Sequence, residues 1–534
     1  MNDEINSINM ESRDERSLLA LTTKNIGTLN WFIPDVDKMV RLSIIKNPLF
    51  NREIFEKINY KEYELTKALL KTNFLTKEER TNIEEDLGIL KQKRKTTESF
   101  CPLPWNHLGI MTNGDVRMCC QMIYEPFGML DVNVKNIKNI DDVRNLPAIK
   151  QVRKEMLEGK KPDLCKLCWT EEKSNLKSKR IHQNSIYTTL PALAKKYTKN
   201  DGEIDTTKIH LNYFDLRLGN KCNLACRSCG PTETDQWYKE IWNIGQQSFS
   251  FYNKKEYSLK ENKGKIIIDS DDFSWPQTTS FLDQILYSCN KIDRLYFTGG
   301  EPTINLSHIQ FLEKLVQEGL AEKIFLEYNS NGMAMPESLL NIWPNFSGIG
   351  IGFSIDGANE KFEYLRYPGK WKKFIRTLSK LDEYHMNFKK ITASLAPTVS
   401  IYNFLHILDL YEFILFNTPT WFSKHMPIHV LEGPAYMSPK IFPDHSKEKI
   451  QIIYNKWLKN LESIEKIPKV NPKFYNQIKI TAKHQISSLL TYINTPLPNR
   501  DKLLEEFHNK TKFMDKQRNQ NWKEIFPELV DVLL

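Results

Sequence analysis

Three cysteines close together in the chain are the feature that most restricts its fold and chemistry. Cys222, Cys226 and Cys229 are spaced C-x3-C-x2-C directly after an apolar-alternating run at 210–218 that predicts a β-strand. Three thiolates from one loop can hold three irons of a cubic 4Fe–4S cluster and leave the fourth iron without a protein ligand. A structural zinc site is the alternative, but it needs four ligands, and the next cysteine or histidine is Cys289.

A second motif ends another predicted strand. The stretch Arg294–Pro302 finishes in Gly299, Gly300 and Glu301. Glycines at the end of a strand let the backbone approach a ligand closely, and a carboxylate beside them can accept hydrogen bonds from an ammonium group. Alone, the two glycines are more typical of an ordinary turn.

The cysteine triad and the Gly-Gly-Glu-Pro strand end together resemble the radical S-adenosylmethionine (radical SAM) superfamily. The resemblance implies a partial βα barrel whose three-cysteine cluster binds the amino and carboxylate groups of SAM through its open iron. It also implies one-electron cleavage of SAM to methionine and a 5′-deoxyadenosyl radical, which abstracts hydrogen from a substrate. Gly299, Gly300 and Glu301 then correspond to the contact with the SAM amino group.

Four further apolar stretches predict the remaining barrel strands, at 323–332, 348–357, 390–397 and 425–432. With the first two they give an α/β fold, a partial (βα)6 TIM-like barrel whose functional groups lie at the carboxyl ends of its strands. By resemblance, the candidate SAM contacts at these ends are Ser354, Asp356, Asn331, Asn403 and Arg366, the last toward the SAM carboxylate. No catalytic residue is assigned beyond the cluster.

One position departs from the superfamily pattern. Many members place an aromatic residue against adenine between the last two cluster cysteines, whereas this chain has Arg227 and Ser228 there. The residue that packs against adenine is therefore not assigned.

A second set of cysteines precedes the barrel. Two predicted strands flank Asn113-Gly114, a strong hairpin signal, so that Cys101 before the first strand and Cys119 or Cys120 after the second meet at one end. A C-x2-C pair follows at Cys165 and Cys168. Four such thiolates suit either zinc or a complete 4Fe–4S cluster, and spacing alone does not choose between them.

The radical SAM resemblance favours a 4Fe–4S cluster over zinc for this second set of cysteines. The second cysteine segment is similar to the twitch module, a shortened relative of the SPASM domain that holds one auxiliary 4Fe–4S cluster, here placed N-terminal to the barrel. The implied ligands are Cys101, Cys119, Cys165 and Cys168. Neighbouring strand residues point to opposite faces, so only one of Cys119 and Cys120 should ligate, and we select Cys119. The stretch 515–529 resembles the closing segment of the same subset and is expected to cap the open side of the barrel.

Length and composition set the remaining expectations. A chain of 534 residues exceeds one ordinary core, and we divide it into a helical, partly disordered region at 1–97, a twitch-like module at 98–185, the barrel at 205–435 and a helical extension at 436–534. Nine cysteines are too few for a disulfide scaffold, and no long apolar run or signal peptide occurs, which predicts a cytoplasmic protein without a membrane partner.

The predicted function is that of a radical SAM enzyme acting on a peptide or protein side chain, with the auxiliary cluster in electron transfer and flavodoxin or ferredoxin as a candidate electron donor. Modification of RNA or a small metabolite is one alternative, for which basic clusters at Lys91–Lys95 and Lys173–Arg180 would be the support. A non-catalytic, metal-stabilised interaction protein is the other. Basic clusters in a chain of net charge +9 are more often solvated faces than nucleic-acid sites.

Overall fold

The computed structural model describes residues 13–24, 26–33, 38–57, 63–72, 75–76, 79–84, 98–122, 132–250, 255–288, 291–431, 433–468, 470 and 472–533. The chain divides into two compact units, one comprising Met1–Phe100 with Glu155–Lys161 and the other Cys101–Lys154 with Pro162–Leu534. None of the described helices has the length and apolar character needed to cross a bilayer.

The first unit is helical in its described residues. Its helices are α1 (Arg13–Thr22), α2 (Ile26–Trp31), α3 (Lys38–Lys46), α4 (Arg52–Lys57) and α5 (Tyr63–Leu69). They bury a common apolar core that includes Ala20, Leu29, Val40, Ile44 and Leu65. The predicted helical character is therefore present, while the basic cluster Lys91–Lys95 lies outside the described residues.

The second unit is organised by a seven-stranded sheet in the order β10-β9-β8-β7-β3-β1-β2. Its strands are β1 (His107–Ile110), β2 (Val116–Arg117), β3 (Tyr213–Leu216), β7 (Arg294–Phe297), β8 (Phe325–Ser330), β9 (Gly348–Phe353) and β10 (Ile391–Leu395). All neighbours from β10 to β1 pair in parallel, and only β1 with β2 is antiparallel.

The sixth strand of the barrel is short. β11 (Thr398–Val399) continues beyond β10, and β12 (His429–Val430) pairs with it in parallel. The predicted partial barrel is thus confirmed, but its last strand is two residues long instead of eight. Pro427 has no backbone N–H to donate, which is unfavourable for a strand at this point.

The predicted hairpin before the barrel is confirmed and belongs to the same sheet. β1 and β2 pair antiparallel around the turn at Asn113-Gly114, where Gly114 has a φ of 85°. β1 also pairs in parallel with β3, with His107 opposite Tyr213 and Ile110 opposite Leu216. The segment that carries Cys101 and Cys119 is therefore fixed to the first barrel strand.

Helices cover the sheet and lead from one strand to the next. From residue 101 to the end of the barrel they are α6 (Leu103–Asn106), α7 (Ile140–Arg144), α8 (Pro147–Leu157), α9 (Lys166–Lys173), α10 (Lys179–Ile186), α11 (Leu190–Tyr197), α12 (Trp237–Asn243), α13 (Trp275–Thr278), α14 (Phe281–Ser288), α15 (Leu306–Gln317), α16 (Glu337–Ile342), α17 (Asn359–Leu365), α18 (Trp371–Asn387) and α19 (Ile407–Phe416). The strand residues that face them, such as Leu326 and Ile351, are almost fully buried.

An insertion between the first two barrel helices forms a separate small sheet. Its strands are β4 (Ser248–Ser250), β5 (Glu256–Asn262) and β6 (Lys265–Ile268), joined in the order β4-β5-β6. Lys263 and Gly264 both have positive φ, as a two-residue hairpin turn requires. The inner face of the insertion packs with Met111 and Tyr238.

The extension after the barrel is helical, as predicted. It contains α20 (Asp444–Ser463), α21 (Tyr475–Ile493), α22 (Arg500–Arg518), α23 (Trp522–Ile525) and α24 (Pro527–Leu533). α20 buries one apolar stripe of Ile450, Tyr454, Trp457 and Leu461. This stripe is core, as expected of apolar residues at helical spacing.

Candidate functional site

The loop that follows β3 brings its three cysteines into one place. Cys222 and Cys226 are buried in a common apolar group with Leu224, and Cys229 and Met333 pack against it. The Cys226 and Cys229 thiols are hydrogen-bonded to each other. Because β3 and β7 are parallel, this group lies at the carboxyl end of the barrel strands, where such barrels place their sites.

The thiols lie beside hydrogen-bond donors. Arg366 Nη1 is 3.8 Å from Cys226 Sγ, and Asn331 Nδ2 is 3.9 Å from Cys222 Sγ. Burial raises the pKa of Cys222 to about 12. Hydrogen bonding from Cys229, together with the charge of Arg366, lowers the pKa of Cys226.

Glu301 lies at the predicted place but already has protein partners. Its carboxylate is 1% exposed and accepts hydrogen bonds from the Thr303 hydroxyl (2.7 Å), the Ser330 hydroxyl (2.9 Å) and the Asn331 N–H (2.7 Å). Burial nonetheless raises its pKa. Glu301 thus ties the end of β7 to the end of β8, and its contact with the SAM amino group stays a prediction.

The two glycines before Glu301 allow a protein contact. Gly299 and Gly300 have φ values of 75° and 59°. A Cβ at Gly300 would lie 2.3 Å from the Lys221 carbonyl oxygen, and one at Gly299 would lie 2.6 Å from the Arg217 Cβ. The close approach predicted for a ligand is therefore made by the cysteine loop itself, which the glycines hold against the strand end.

The other predicted SAM contacts form a buried polar group near the triad. Arg366 Nε is 2.8 Å from Asp356 Oδ2, and both side chains are at most 8% exposed. Burial alone would lower the pKa of Arg366, but the Asp356 carboxylate outweighs it and raises that pKa. The guanidinium is thus shared between a carboxylate and a cysteine, while Ser354 stays partly exposed beside them.

Asn331 and Asn403 differ in how far the protein already uses the hydrogen-bonding groups of their side chains. Asn331 donates to Asn223 Oδ1 (2.7 Å) and lies at the cysteine loop. Asn403 is fully buried; it donates to the carbonyls of Asp356 and Thr398 and accepts from Ser400. This geometry does not support the predicted contact of Asn403 with SAM, since its amide is already used by the loop after β10.

The second set of cysteines also converges. The Cys101 thiol has both Cys165 and Cys168 among its electrostatic neighbours, and Cys119 has Cys168. Cys165 ends a 3-10 turn and Cys168 lies one turn into α9, so this helix delivers the pair. Burial raises the pKa of both Cys101 and Cys168 to about 12, as at Cys222.

Cys119 and Cys120 are hydrogen-bonded to each other and differ in their further neighbours. Cys120 Sγ accepts a hydrogen bond from Lys179 Nζ at 3.0 Å, and its further electrostatic neighbours include Arg217. Cys119 has Cys168 among its electrostatic neighbours. The choice of Cys119 as the fourth ligand of the auxiliary set stays a prediction.

Both thiol sets suit iron–sulfur clusters by their donor chemistry. Each consists of cysteine sulfur, with three thiols in the barrel loop and four in the segment before it. Among the residues that the structure describes, no three His, Cys, Asp or Glu side chains converge closely enough to hold a single metal ion.

Sequence reasoning missed the residues that hold the triad from the C-terminal side. The Arg227 guanidinium lies 3.7 Å from the Tyr364 ring centre and donates to Asp515 Oδ1 at 2.5 Å. Asp515 also accepts from the Tyr364 hydroxyl and the Trp522 N–H, each at 2.8 Å. The only signal in the sequence was the arginine at a position where the superfamily often has an aromatic residue.

α22 makes a second connection to the same region. Arg518 pairs with Glu240 at 2.9 Å and lies over the rings of Trp237 and Tyr367. The Trp237 indole N–H in turn donates to the Cys226 carbonyl at 3.2 Å. The expected cap by the stretch 515–529 therefore contacts the cysteine loop directly.

Comparisons with known proteins agree with this architecture. A family model described as the radical SAM superfamily matches residues 216–414, and one described as an iron-sulfur cluster-binding domain (SPASM) matches residues 101–169. No curated protein matches. Residues 216–414 therefore form a radical SAM domain. More particularly, this domain is combined with an iron-sulfur cluster-binding domain of the SPASM type, which here lies N-terminal to the barrel.

The solved structures that resemble this chain have low sequence identity and low TM-scores. One is "Native anSMEcpe with bound AdoMet", at 19% identity and a TM-score of 0.28, covering 47% of this chain and 59% of that one. Another is Streptococcus suis SuiB bound to precursor peptide SuiA, at 12% identity and a TM-score of 0.29, covering 62% and 66%. The chain thus spans about three fifths of the length of the first of these structures.

The glycine contact predicts a strong effect of one added methyl group. Gly300→Ala should lower the free energy of unfolding by about 3 kcal/mol, because the new Cβ meets the Lys221 carbonyl and the backbone is left-handed. Gly264→Ala is the matched control, since Gly264 also has positive φ but no atom within 4 Å of its added Cβ. We expect Gly264→Ala to lower the free energy of unfolding by about 1 kcal/mol. Urea denaturation measures both, and equal losses would contradict the contact.

The Arg227–Asp515 pair predicts a large cost for removing one charge. Asp515→Asn should lower the free energy of unfolding by about 3 kcal/mol, because it leaves Arg227 buried without its counter-ion. Tryptophan fluorescence during urea denaturation is the measurement. Glu462→Gln breaks the exposed pair with Lys483 and should leave the free energy of unfolding nearly unchanged. Similar losses in the two variants would show that the buried pair does not hold the loop.

Proposed function

We propose that this enzyme cleaves SAM at the Cys222, Cys226 and Cys229 site and abstracts hydrogen from a peptide or protein side chain, with the auxiliary cluster in electron transfer. The observation that carries the proposal is the convergence of these three cysteines in one buried group at the carboxyl end of the parallel strands. Three protein ligands suit a cubic cluster whose fourth iron is open to SAM.

A 4Fe–4S cluster with SAM supplies a 5′-deoxyadenosyl radical, the species that removes hydrogen from the substrate. The three cysteines would hold the irons, and Arg366 beside Cys226 would balance part of the thiolate charge. Leu224 and Met333 exclude water from the thiols. Glu301, Gly299, Gly300, Ser354, Asp356 and Asn331 lie around this group and are the candidate SAM contacts.

The auxiliary set has a different role in the proposal. Cys101, Cys119, Cys165 and Cys168 would ligate every iron of a second cluster, so no iron stays open for a substrate. A closed cluster favours electron transfer over direct binding of the substrate. Flavodoxin or ferredoxin remains the class of electron donor that we propose for the enzyme.

The peptide or protein substrate follows from analogy with SPASM and twitch members. The RNA alternative relied on the basic clusters, and the described one is largely engaged within the protein. Arg180 pairs with Glu172 at 2.7 Å, and Lys179 donates to Cys120. No observation on the described residues therefore favours a nucleic-acid substrate over a peptide.

Iron content and SAM cleavage test the proposal. The anaerobically purified, iron-loaded chain should hold about eight irons, and the Cys222/Cys226/Cys229→Ala variant about four. After reduction, only the native chain should form 5′-deoxyadenosine, because only it keeps the open iron. Chemical iron analysis and chromatography of the nucleoside products are the measurements.

Two single variants separate the auxiliary ligands. Cys119→Ala should lose the second cluster, while Cys120→Ala should keep about eight irons because its thiol lies toward Lys179. Zinc in place of iron, or no SAM cleavage by the fully loaded native chain, would contradict the proposed function.

A further inference from the structure

The inner face of the barrel carries a layer of polar residues. Register places Asp215 of β3 beside Tyr296 of β7, and Tyr296 beside Glu327 of β8. Paired residues of parallel strands point to the same side of the sheet. Tyr296 and Glu327 are partly exposed, whereas their strand neighbours Leu295 and Leu326 are fully buried on the helix-covered side. The side that holds Asp215 is therefore the interior of the barrel.

Asp215 has few hydrogen-bond donors for its two carboxylate oxygens. It is 1% exposed, neither oxygen accepts from a described N–H or O–H group, and the donor beside it is the Cys120 thiol. Arg217 Nε is 3.9 Å from Oδ1, which is too far for a hydrogen bond. Burial raises the pKa of Asp215 to about 6. A buried, unsatisfied carboxylate is costly for the fold, so its presence suggests a ligand that supplies the missing donors.

His107 offers a second acceptor on the same side. Its Nδ1 lies 2.9 Å from the Met118 carbonyl oxygen, so Nδ1 carries the proton and Nε2 is the acceptor. Nε2 has no hydrogen-bond partner in the described part of the chain, and the residue is 2% exposed. Burial lowers the pKa of His107 to about 3, which keeps the ring neutral.

Cys120 and Lys179 form the wall next to these two acceptors. Their charges act on both Asp215 and His107, and Lys179 Nζ lies 5.4 Å from the Tyr296 ring centre. The Cys120 thiol is partly exposed, and the neighbouring Cys119 is the ligand that we propose for the auxiliary set. A small reagent can therefore modify a thiol that lies beside Asp215 and His107.

We propose that Asp215 and His107 form a substrate pocket that accepts a neutral hydrogen-bond donor, an amide or hydroxyl group of the peptide or protein substrate, beside the Cys120 thiol. This proposal rests on the proposed function and names the group that its substrate presents. Both unsatisfied atoms are acceptors, so one donor group or two neighbouring ones can satisfy them. A cationic group fits less well, because Lys179 and Arg217 already lie beside the carboxylate.

Alkylation of Cys120 tests the pocket without SAM and without turnover, so its outcome is independent of the proposed function. The iron-loaded full chain is treated anaerobically with iodoacetamide, with methyl iodoacetate or with iodoacetate, and glutathione in the same tube gives each reagent's intrinsic rate. Peptide mass spectrometry then measures modification at Cys120. Iodoacetamide carries an amide donor that the neutral ester lacks, and iodoacetate is an anion.

We expect iodoacetamide to modify Cys120 about tenfold faster than methyl iodoacetate, relative to glutathione. Asp215→Asn should remove most of this preference. His107→Asn should reduce it, since asparagine keeps the donor to the Met118 carbonyl but not the Nε2 acceptor. Asp269→Asn, at a surface carboxylate paired with Lys260, is the matched control and should leave the preference unchanged. Iron content confirms that each variant is folded.

Three results would overturn the proposal. A preference for iodoacetate would show an anion pocket formed by Lys179 and Arg217. Equal rates for the amide and the ester, or a preference that survives both variants, would show that the acceptors contact no ligand. A Cys120 that reacts only after iron is removed would be a cluster ligand, not a wall of the pocket.

Discussion

The loop from Arg217 to Gly230 has no helix or strand of its own, so its buried backbone groups must find partners in other parts of the chain. Ala225 and Arg227 donate to the carbonyls of Tyr367 and Leu365, and the Lys221 carbonyl accepts from Glu301. The Arg227 side chain is fixed by Asp515. The positions of three thiols therefore depend on strand ends and on a C-terminal helix, which is why an irregular loop can present them in one arrangement.

Local sequence patterns predicted the structural features that short stretches of the chain determine. The strand ends, the Asn113-Gly114 hairpin and both cysteine sets could be read from spacing, because strands, tight turns and thiol motifs depend on neighbouring residues. The hydrogen-bond partners of Glu301 and Asn403 could not be predicted from the sequence. Ser330, Asp356 and Thr398 come close to these two residues only once the chain is folded. The bond between Arg227 and Asp515 joins residues 288 positions apart, and no local pattern reports a contact at that separation.

Several cations in this protein act inside the fold. Arg366 lies between Asp356 and Cys226, Lys179 lies beside Cys120, and Arg518 connects Glu240 with aromatic rings. Each of them offsets a buried negative group or covers a ring, so these cations add little to a basic surface. The same reasoning explains why a Lys/Arg-rich stretch such as 173–180 is poor support for a nucleic-acid partner.

The parallel pairing of β1 with β3 also affects how the chain folds. β3 receives β1 from an earlier segment on one side and β7 from a later segment on the other, so both partners are distant in sequence. Such non-local pairing slows folding, because long loops must close before any contact forms. Until β1 docks, β3 has an open edge of unpaired N–H and C=O groups that can pair with another chain. During synthesis the early hairpin thus protects the barrel against aggregation, in addition to carrying Cys101 and Cys119.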